Sequence, residues 1–258
     1  MKMMSTQYKH PSLEGLVESG ELDLAILHPG GMELTLELAQ LCRIVKGASV
    51  LDVASGTGES ACYLAEHTGA RVVGIDISGR LIEKARRKAE QRNLRIDFRQ
   101  ADAHRLPFAD AAFDSAISEC SVCLMDKEQA LAEMARVVKP GGYVGIHDVC
   151  WQPHTPDRVK GRLAEIKGER PETLDGWKSL FEKTGLADVT TVDKSSLLST
   201  WIKRTRKELG LVGQLKLFLK VFRKWGLRGV KDILESEWIF EGKYMGYGII
   251  AGQKPPGD

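Results

Sequence analysis

The segment VLDVASGTGES, Val50 to Ser60, ends an apolar run in an acid, Asp52, and follows it with a turn of small residues: Ala54, Ser55, Gly56, Thr57 and Gly58. A strand that runs through such a turn into a helix exposes backbone N–H groups at a helix N-terminus, which suits the polar groups of a cofactor or a phosphate. Small residues let the backbone approach a ligand closely, and Asp52 can accept hydrogen bonds from a cationic amine. Eighteen residues after Gly58 the next apolar run ends in Gly74-Ile75-Asp76-Ile77-Ser78. An acid at the carboxyl edge of a neighbouring strand is placed to bind the two hydroxyls of a ribose. Further on, Asp102-Ala103 lies in FRQADAHRLPF, Glu119-Cys120 closes another apolar run, and His147-Asp148 closes a fifth. A histidine at that edge can take a proton from a hydroxyl or a carbon acid, because it titrates near operating pH. The plainer reading, a histidine that orients a loop or faces solvent, stays open beside it.

Two nucleotide chemistries compete for the glycine turn. A dinucleotide fingerprint needs G-x-G-x-x-G, and with Gly56 as its central glycine the outer two positions hold Ala54 and Glu59. No G-x-x-x-x-G-K-[ST] occurs, so triphosphate hydrolysis has no support.

These residues need a scaffold that brings strand ends together, and the patterning supplies one. From about Gly47 to Val149, short β-branched runs alternate with helical periodicities, the signature of βαβ units and a mostly parallel sheet. The runs predict strands at Ser49–Val53, Arg71–Ile75, Ile96–Gln100, Ser115–Ser118 and Tyr143–Asp148, with helices at Glu59–Thr68, Gly79–Arg92 and Lys127–Val138. Lys139-Pro140-Gly141-Gly142 stops the last of these. Beyond it, Thr173–Thr184 reads as a helix, and Asp188–Asp193 and Tyr247–Gln253 as strands. His28-Pro29-Gly30-Gly31 precedes another helix, and is either a plain helix-start turn or a place where backbone closes over a ligand carboxylate.

VLDVASGTG resembles the first motif of class I S-adenosylmethionine-dependent methyltransferases, an acid followed by alternating glycines, with Ala54 standing where a glycine is usual. A methyl group there is expected only to narrow the turn. GIDIS, the QADA segment, Phe113-Asp114 and ARVVKPGGYVGI follow in that family's order. The resemblance implies a doubly wound, seven-stranded, mostly parallel α/β sheet of the Rossmann-like methyltransferase type. It implies S-adenosylmethionine as cofactor and S-adenosylhomocysteine as product. It places Asp52, Ala54, Ser55, Gly56, Thr57, Gly58, Asp76, Ile77, Asp102, Ala103 and Glu119 around the cofactor, with His147 and Cys120 as candidate catalytic residues and no metal. Methyl transfer from a sulfonium asks mainly for alignment, since the cofactor carries the reactive group.

Two branches are closest. LPFADAAFD and EMARVVKPGG are similar to the ubiquinone/menaquinone-biosynthesis C-methyltransferases and their small-molecule relatives. HPGG, ACY and ECSVCLMDKEQAL look like the arsenite methyltransferases, in which three cysteine thiolates hold arsenic. Cys62 and Cys120 match two of those positions, and between Arg158 and Asp175, where the third is expected, there is none. Free cysteines are otherwise small buried hydrophobes.

With 258 residues, 43% of them hydrophobic and 28% charged, the chain can bury a full core without disulfides or metal. Its five cysteines form no disulfide framework, and no long uncharged apolar run appears, so a cytoplasmic protein is expected. The formal net charge of +2 is unevenly spread: residues 201–231 hold ten bases and one acid, +9, which leaves −7 for the rest. Leu211, Leu215, Phe218, Leu219, Phe222 and Trp225 recur at helical spacing among those bases and predict an amphipathic helix. The expected plan is one methyltransferase domain: N-terminal helices over 1–46, a sheet core over 47–194 and 244–258, and a basic helical cap over 195–243. The cap is either an ordinary solvated helix or a lid that rests through 201–231 on an anionic membrane and admits a lipophilic acceptor. The acceptor is expected to be a small molecule. Nucleic acid is disfavoured, because Glu119-Cys120-Ser121-Val122 stands where base-amino methyltransferases carry Asn-Pro-Pro-Tyr/Phe. The sequence leaves the oligomeric state open.

Overall fold

Seven strands form one sheet: β1 (Ser49–Val53), β2 (Arg71–Asp76), β3 (Asp97–Gln100), β4 (Phe113–Glu119), β5 (Val138–Trp151), β6 (Ala187–Asp193) and β7 (Met245–Gln253). The computed structural model describes residues 28–241 and 243–257, so most of the expected N-terminal helical region, residues 1–27, lies outside the described residues. The strand order is β3-β2-β1-β4-β5-β7-β6. Neighbours from β3 to β5 pair in parallel, and β7 runs antiparallel to both β5 and β6. The central strands are buried nearly throughout, as β-branched and apolar runs covered on both faces should be.

The helices α1 (Gly31–Leu41), α2 (Glu59–Thr68), α3 (Gly79–Gln91), α4 (Lys127–Val137) and α6 (Leu174–Lys183) pack on this sheet. Side-chain caps fix several of their starts: Ser78 accepts from the Leu81 N–H, Asp126 from Gln129 and Thr173 from Gly176. Helix α4 ends at Val137, ahead of Lys139-Pro140, as the restriction on residues before proline requires. Helix α5 (Asp157–Lys167) was not anticipated. Its buried residues Val159, Leu163 and Ile166 have helical spacing but sit in a charge-rich stretch.

The amphipathic helix expected from Leu211 to Trp225 forms as the middle of three helical pieces. The element α7 (Ser195–Glu241) is not one helix, because Gly210 and Gly226 adopt left-handed φ values of 58° and 65° and divide it into pieces over 195–209, 211–225 and 227–241. Glycine takes such a conformation at no steric cost. Arg206 pairs with Glu237 at 3.1 Å and with Glu241 at 2.5 Å, so the first and third pieces lie side by side. Arg162 of α5 ties the third piece down through Asp232 at 2.8 Å and Glu235 at 2.9 Å. The cap leaves the sheet after the carboxyl end of β6 and rejoins it at Met245, opposite Trp151 at the carboxyl end of β5. It therefore stands at the edge where the parallel strands end.

Candidate functional site

Strand order reverses between β1 and β4, and in open α/β sheets the crevice beyond the carboxyl ends at such a reversal is where ligands bind. Asp52 lies one position before the end of β1, in register with Gly74 of β2 and Ile117 of β4. It is 2% exposed, and Ser55 Oγ donates to its carboxylate at 2.6 Å. Burial, reinforced by the nearby Glu119, pushes the Asp52 carboxyl up to about 8. Asp76 at the end of β2 accepts the Gly56 N–H at 3.0 Å and the Ser78 N–H at 2.8 Å, so one carboxylate fixes both the glycine turn and the turn into α3. Thr57 Oγ1 accepts from Lys88 at 3.0 Å. Gly58 has φ 76°, and a Cβ there would meet Phe98 at 2.7 Å and Ala85 at 2.8 Å, so conformation and space both demand glycine.

Ala54 corrects an expectation. Its φ is 59°, so the methyl group does more than narrow the turn: it sits on a left-handed backbone that glycine would adopt freely. Such a conformation costs a non-glycine residue about 1–2 kcal/mol, of which the greater freedom of glycine in the unfolded chain offsets about 0.4–1 kcal/mol. Ala54→Gly is therefore expected to stabilise the protein by up to about 1.6 kcal/mol in urea denaturation. A fall in stability would show that the turn is not strained.

The remaining residues expected around the cofactor are less enclosed. Ile77 is exposed, and Asp102 accepts from the His104 backbone N–H at 2.9 Å and faces the His104 ring at 2.7 Å. Ala103 beside it is buried.

A second constellation adjoins the first. Glu119 and His147 are register partners on β4 and β5, and His28, just before α1, reaches the same point. His28 Nε2 lies 3.1 Å from Glu119 Oε2, and His147 Nε2 lies 3.1 Å from Glu119 Oε1. Ser60 Oγ donates to Glu119 Oε2 and so links this group to α2, directly after the glycine turn. Tyr247 of β7 hydrogen-bonds His147 Nδ1 and, at 2.9 Å, the Cys120 thiol. All three ionisable partners are buried. Burial opposes charge on Glu119, yet the two imidazoles hold its carboxyl well below the usual range. Burial would lower His28 as well, but Glu119 outweighs it and raises the imidazole above its ordinary value. His147 shares the same carboxylate and shifts the other way, because it is fully buried and faces the cationic His28.

The sequence pointed to Glu119, Cys120 and His147 but not to their meeting with Ser60 and Tyr247, and it read His28 only as part of a turn. His147, weighed as a proton acceptor, has Nδ1 on Tyr247 and Nε2 turned to Glu119. Burial pushes Cys62 up to about 11 and Cys120 well above the ordinary thiol range, which favours the protonated thiol in both. Among the described residues no ligand cluster includes a cysteine.

Sheet order, glycine turn and acid-tipped strands define an α/β protein of the class I S-adenosylmethionine-dependent methyltransferase type. Residues 50–142 match the family described as "Methyltransferase domain". The O-methyltransferase cnsE of Penicillium expansum is 36% identical over 230 residues, which cover 87% of this chain and 78% of that protein. Methyltransferase GfsG of Streptomyces halstedii is 33% identical over 191 residues, 71% of this chain and 65% of its own length. The crystal structure of the (4+2)-cyclase SpnF superposes with a TM-score of 0.79 at 25% identity, over 94% of this chain and 92% of that one. The chain belongs to the class I S-adenosylmethionine-dependent methyltransferase family. It is an enzyme of that class, with S-adenosylmethionine as its cofactor. Among the described residues no helix is long and apolar enough to cross a membrane.

Proposed function

We propose that this methyltransferase acts on a small lipophilic acceptor that enters beneath the cap and is held beside Glu119, Cys120 and His147. The observation that carries the reading is the middle piece of the cap. Leu211 is 86% exposed, Val212 67% and Leu215 59%, while Phe218, Leu219 and Phe222 are each close to half exposed. This apolar surface alternates with exposed Lys216, Lys220, Arg223 and Lys224. An ordinary cap helix buries its apolar stripe. A helix that shows lipophilic and cationic side chains together to solvent suits an anionic lipid surface, and we assign that contact to the span 201–231 of the sequence reading. A relative in Botryococcus braunii named Sterol methyltransferase-like 1 fits an acceptor of this kind.

In this reading Asp76 receives the ribose hydroxyls, and the turn Ala54–Gly58 approaches the methionyl portion. Asp52 faces the cationic amine, whose charge favours the ionised form of a carboxyl that burial holds near 8. Ile77, Asp102 and Ala103 flank the adenine. The chain's contribution is alignment: the methyl carbon passes from sulfur to the acceptor along one line, and the cap excludes water from it.

The test is to incubate the purified chain with methyl-labelled S-adenosylmethionine and a cell extract, with and without anionic vesicles at low salt. Label is expected in the organic phase, and more of it when vesicles are present. Label confined to the aqueous phase would overturn the lipophilic acceptor, and indifference to vesicles would overturn the surface contact.

A further inference from the structure

The geometry points to a divalent transition-metal site formed by His28, Glu119 and His147. One ligand atom from each residue lies within 4.8 Å of the others. The three come from separate parts of the chain, before α1, at the end of β4 and within β5, and meet only because the fold brings them together.

The first observation is which ring nitrogen of each histidine is engaged elsewhere. His28 Nδ1 faces the Pro29 carbonyl at 3.2 Å, which an N–H at Nδ1 satisfies. His147 Nδ1 faces the Tyr247 hydroxyl, which continues to the Cys120 thiol at 2.9 Å. With Nδ1 of each ring engaged, Nε2 of each is the atom turned to Glu119. A ligating histidine characteristically binds metal through one nitrogen while an outer partner holds the other.

The second observation is that these turned atoms lack hydrogen bonds. Both Nε2 atoms stand 3.1 Å from the carboxylate in ion-pair contact without the alignment of a full hydrogen bond, and Glu119 Oε1 has no other partner. Buried polar groups are nearly always bonded, so three such atoms in one place call for a common partner. A single cation satisfies all three at once. Two imidazoles and one carboxylate suit zinc, iron, cobalt or manganese, whereas magnesium and calcium take sets dominated by oxygen.

Three protein ligands leave coordination positions open beside the cofactor cradle, to which Glu119 is joined through Ser60. This part rests on the proposed methyl transfer and deepens it: an acceptor hydroxyl would bind there in place of a hydroxide on the same cation, which takes its proton and leaves as water. The acceptor oxygen would then form the bond to the methyl carbon as the C–S bond breaks. The C–S electron pair stays on sulfur, giving the neutral thioether of S-adenosylhomocysteine. The acceptor class so named is an alcohol, phenol or enol.

The test strips the full chain with a chelator, dialyses it against Zn(II), and counts bound metal by atomic emission. A parallel sample with Co(II) is read in the visible ligand-field bands. About one zinc per chain and nitrogen–oxygen cobalt bands are expected in the native protein, with both lost in His28→Gln and in His147→Asn. Calorimetric titration with S-adenosylmethionine shows that each variant is folded. A native chain that takes up no more zinc than the variants, or shows no cobalt bands, overturns the site, and the second reading needs no variant at all. Bound metal without any label transfer would overturn the proposed methyl acceptor and leave the site standing. Label transfer by a chain that binds no metal would do the reverse.

Discussion

Replacing Asp76 with alanine is expected to weaken S-adenosylmethionine binding on the order of 100-fold while leaving the sheet intact. The carboxylate lies at the carboxyl end of β2, 7% exposed, with one oxygen on the Gly56 N–H and the other on the Ser78 N–H. A carboxylate has about four acceptor positions, so a diol can be held by charge-assisted bonds on a group that is already fixed. Bonds to charged groups contribute about 1.5–3 kcal/mol each, and about 3 kcal/mol in total corresponds to roughly 100-fold in affinity. Asp76→Asn keeps the shape and one acceptor but loses the charge, and a loss of about tenfold is expected for it. Calorimetric titration gives the affinities, and the thermal midpoint of the unliganded chain reports the turn itself. Unchanged affinity in the alanine variant would refute the ribose assignment. An equal loss in both variants, with a fallen midpoint, would mean that Asp76 acts by holding the Gly56 turn rather than by touching the cofactor.

Asp76 was legible because the feature that places it is local. A short apolar run ends in an acid, and an acid at the carboxyl end of a strand stands at the edge where open α/β sheets bind ligands. The same logic placed Asp52 and the turn after it, while the doubly wound sheet came from the family resemblance. What escaped was non-local or conformational. Glu119 and His147 are adjacent only through the register of β4 and β5, and Tyr247 reaches His147 across 100 residues of chain. No spacing in the sequence encodes that meeting. Ala54 was read by side-chain size, when its cost lies in a φ of 59°. The periodicity from Leu211 to Trp225 found the middle piece of the cap but not the breaks at Gly210 and Gly226, because a lone glycine in a helical pattern is ordinarily tolerated. The cap's exposed apolar residues contradict the simplest use of that periodicity, since an amphipathic pattern says which face is apolar and not what covers it.

Glu119 carries the other large expectation. Glu119→Ala removes the carboxylate from between two buried imidazoles whose ring centroids are 4.7 Å apart, and leaves Ser60 and both histidines without their shared partner. Breaking a buried ion pair from one side costs about 3–5 kcal/mol, a large share of the stability of a domain this size, so the alanine variant is expected to unfold at much lower urea and to show no turnover. The informative variant is Glu119→Gln, which keeps the volume and one acceptor. It is expected to fold, to bind S-adenosylmethionine within about threefold of the native chain, and to transfer label on the order of 100-fold more slowly, the scale of losing one preorganised charge at a reacting centre. Affinity by calorimetry and turnover by label partition separate two roles that the sequence could not. A collapse of affinity with turnover would return Glu119 to the cofactor cradle, where the motif order first put it and where its bond from Ser60 would then belong. Native turnover in Glu119→Gln would mean that the negative charge is dispensable, and that the acceptor does not meet the methyl group at this end of β4.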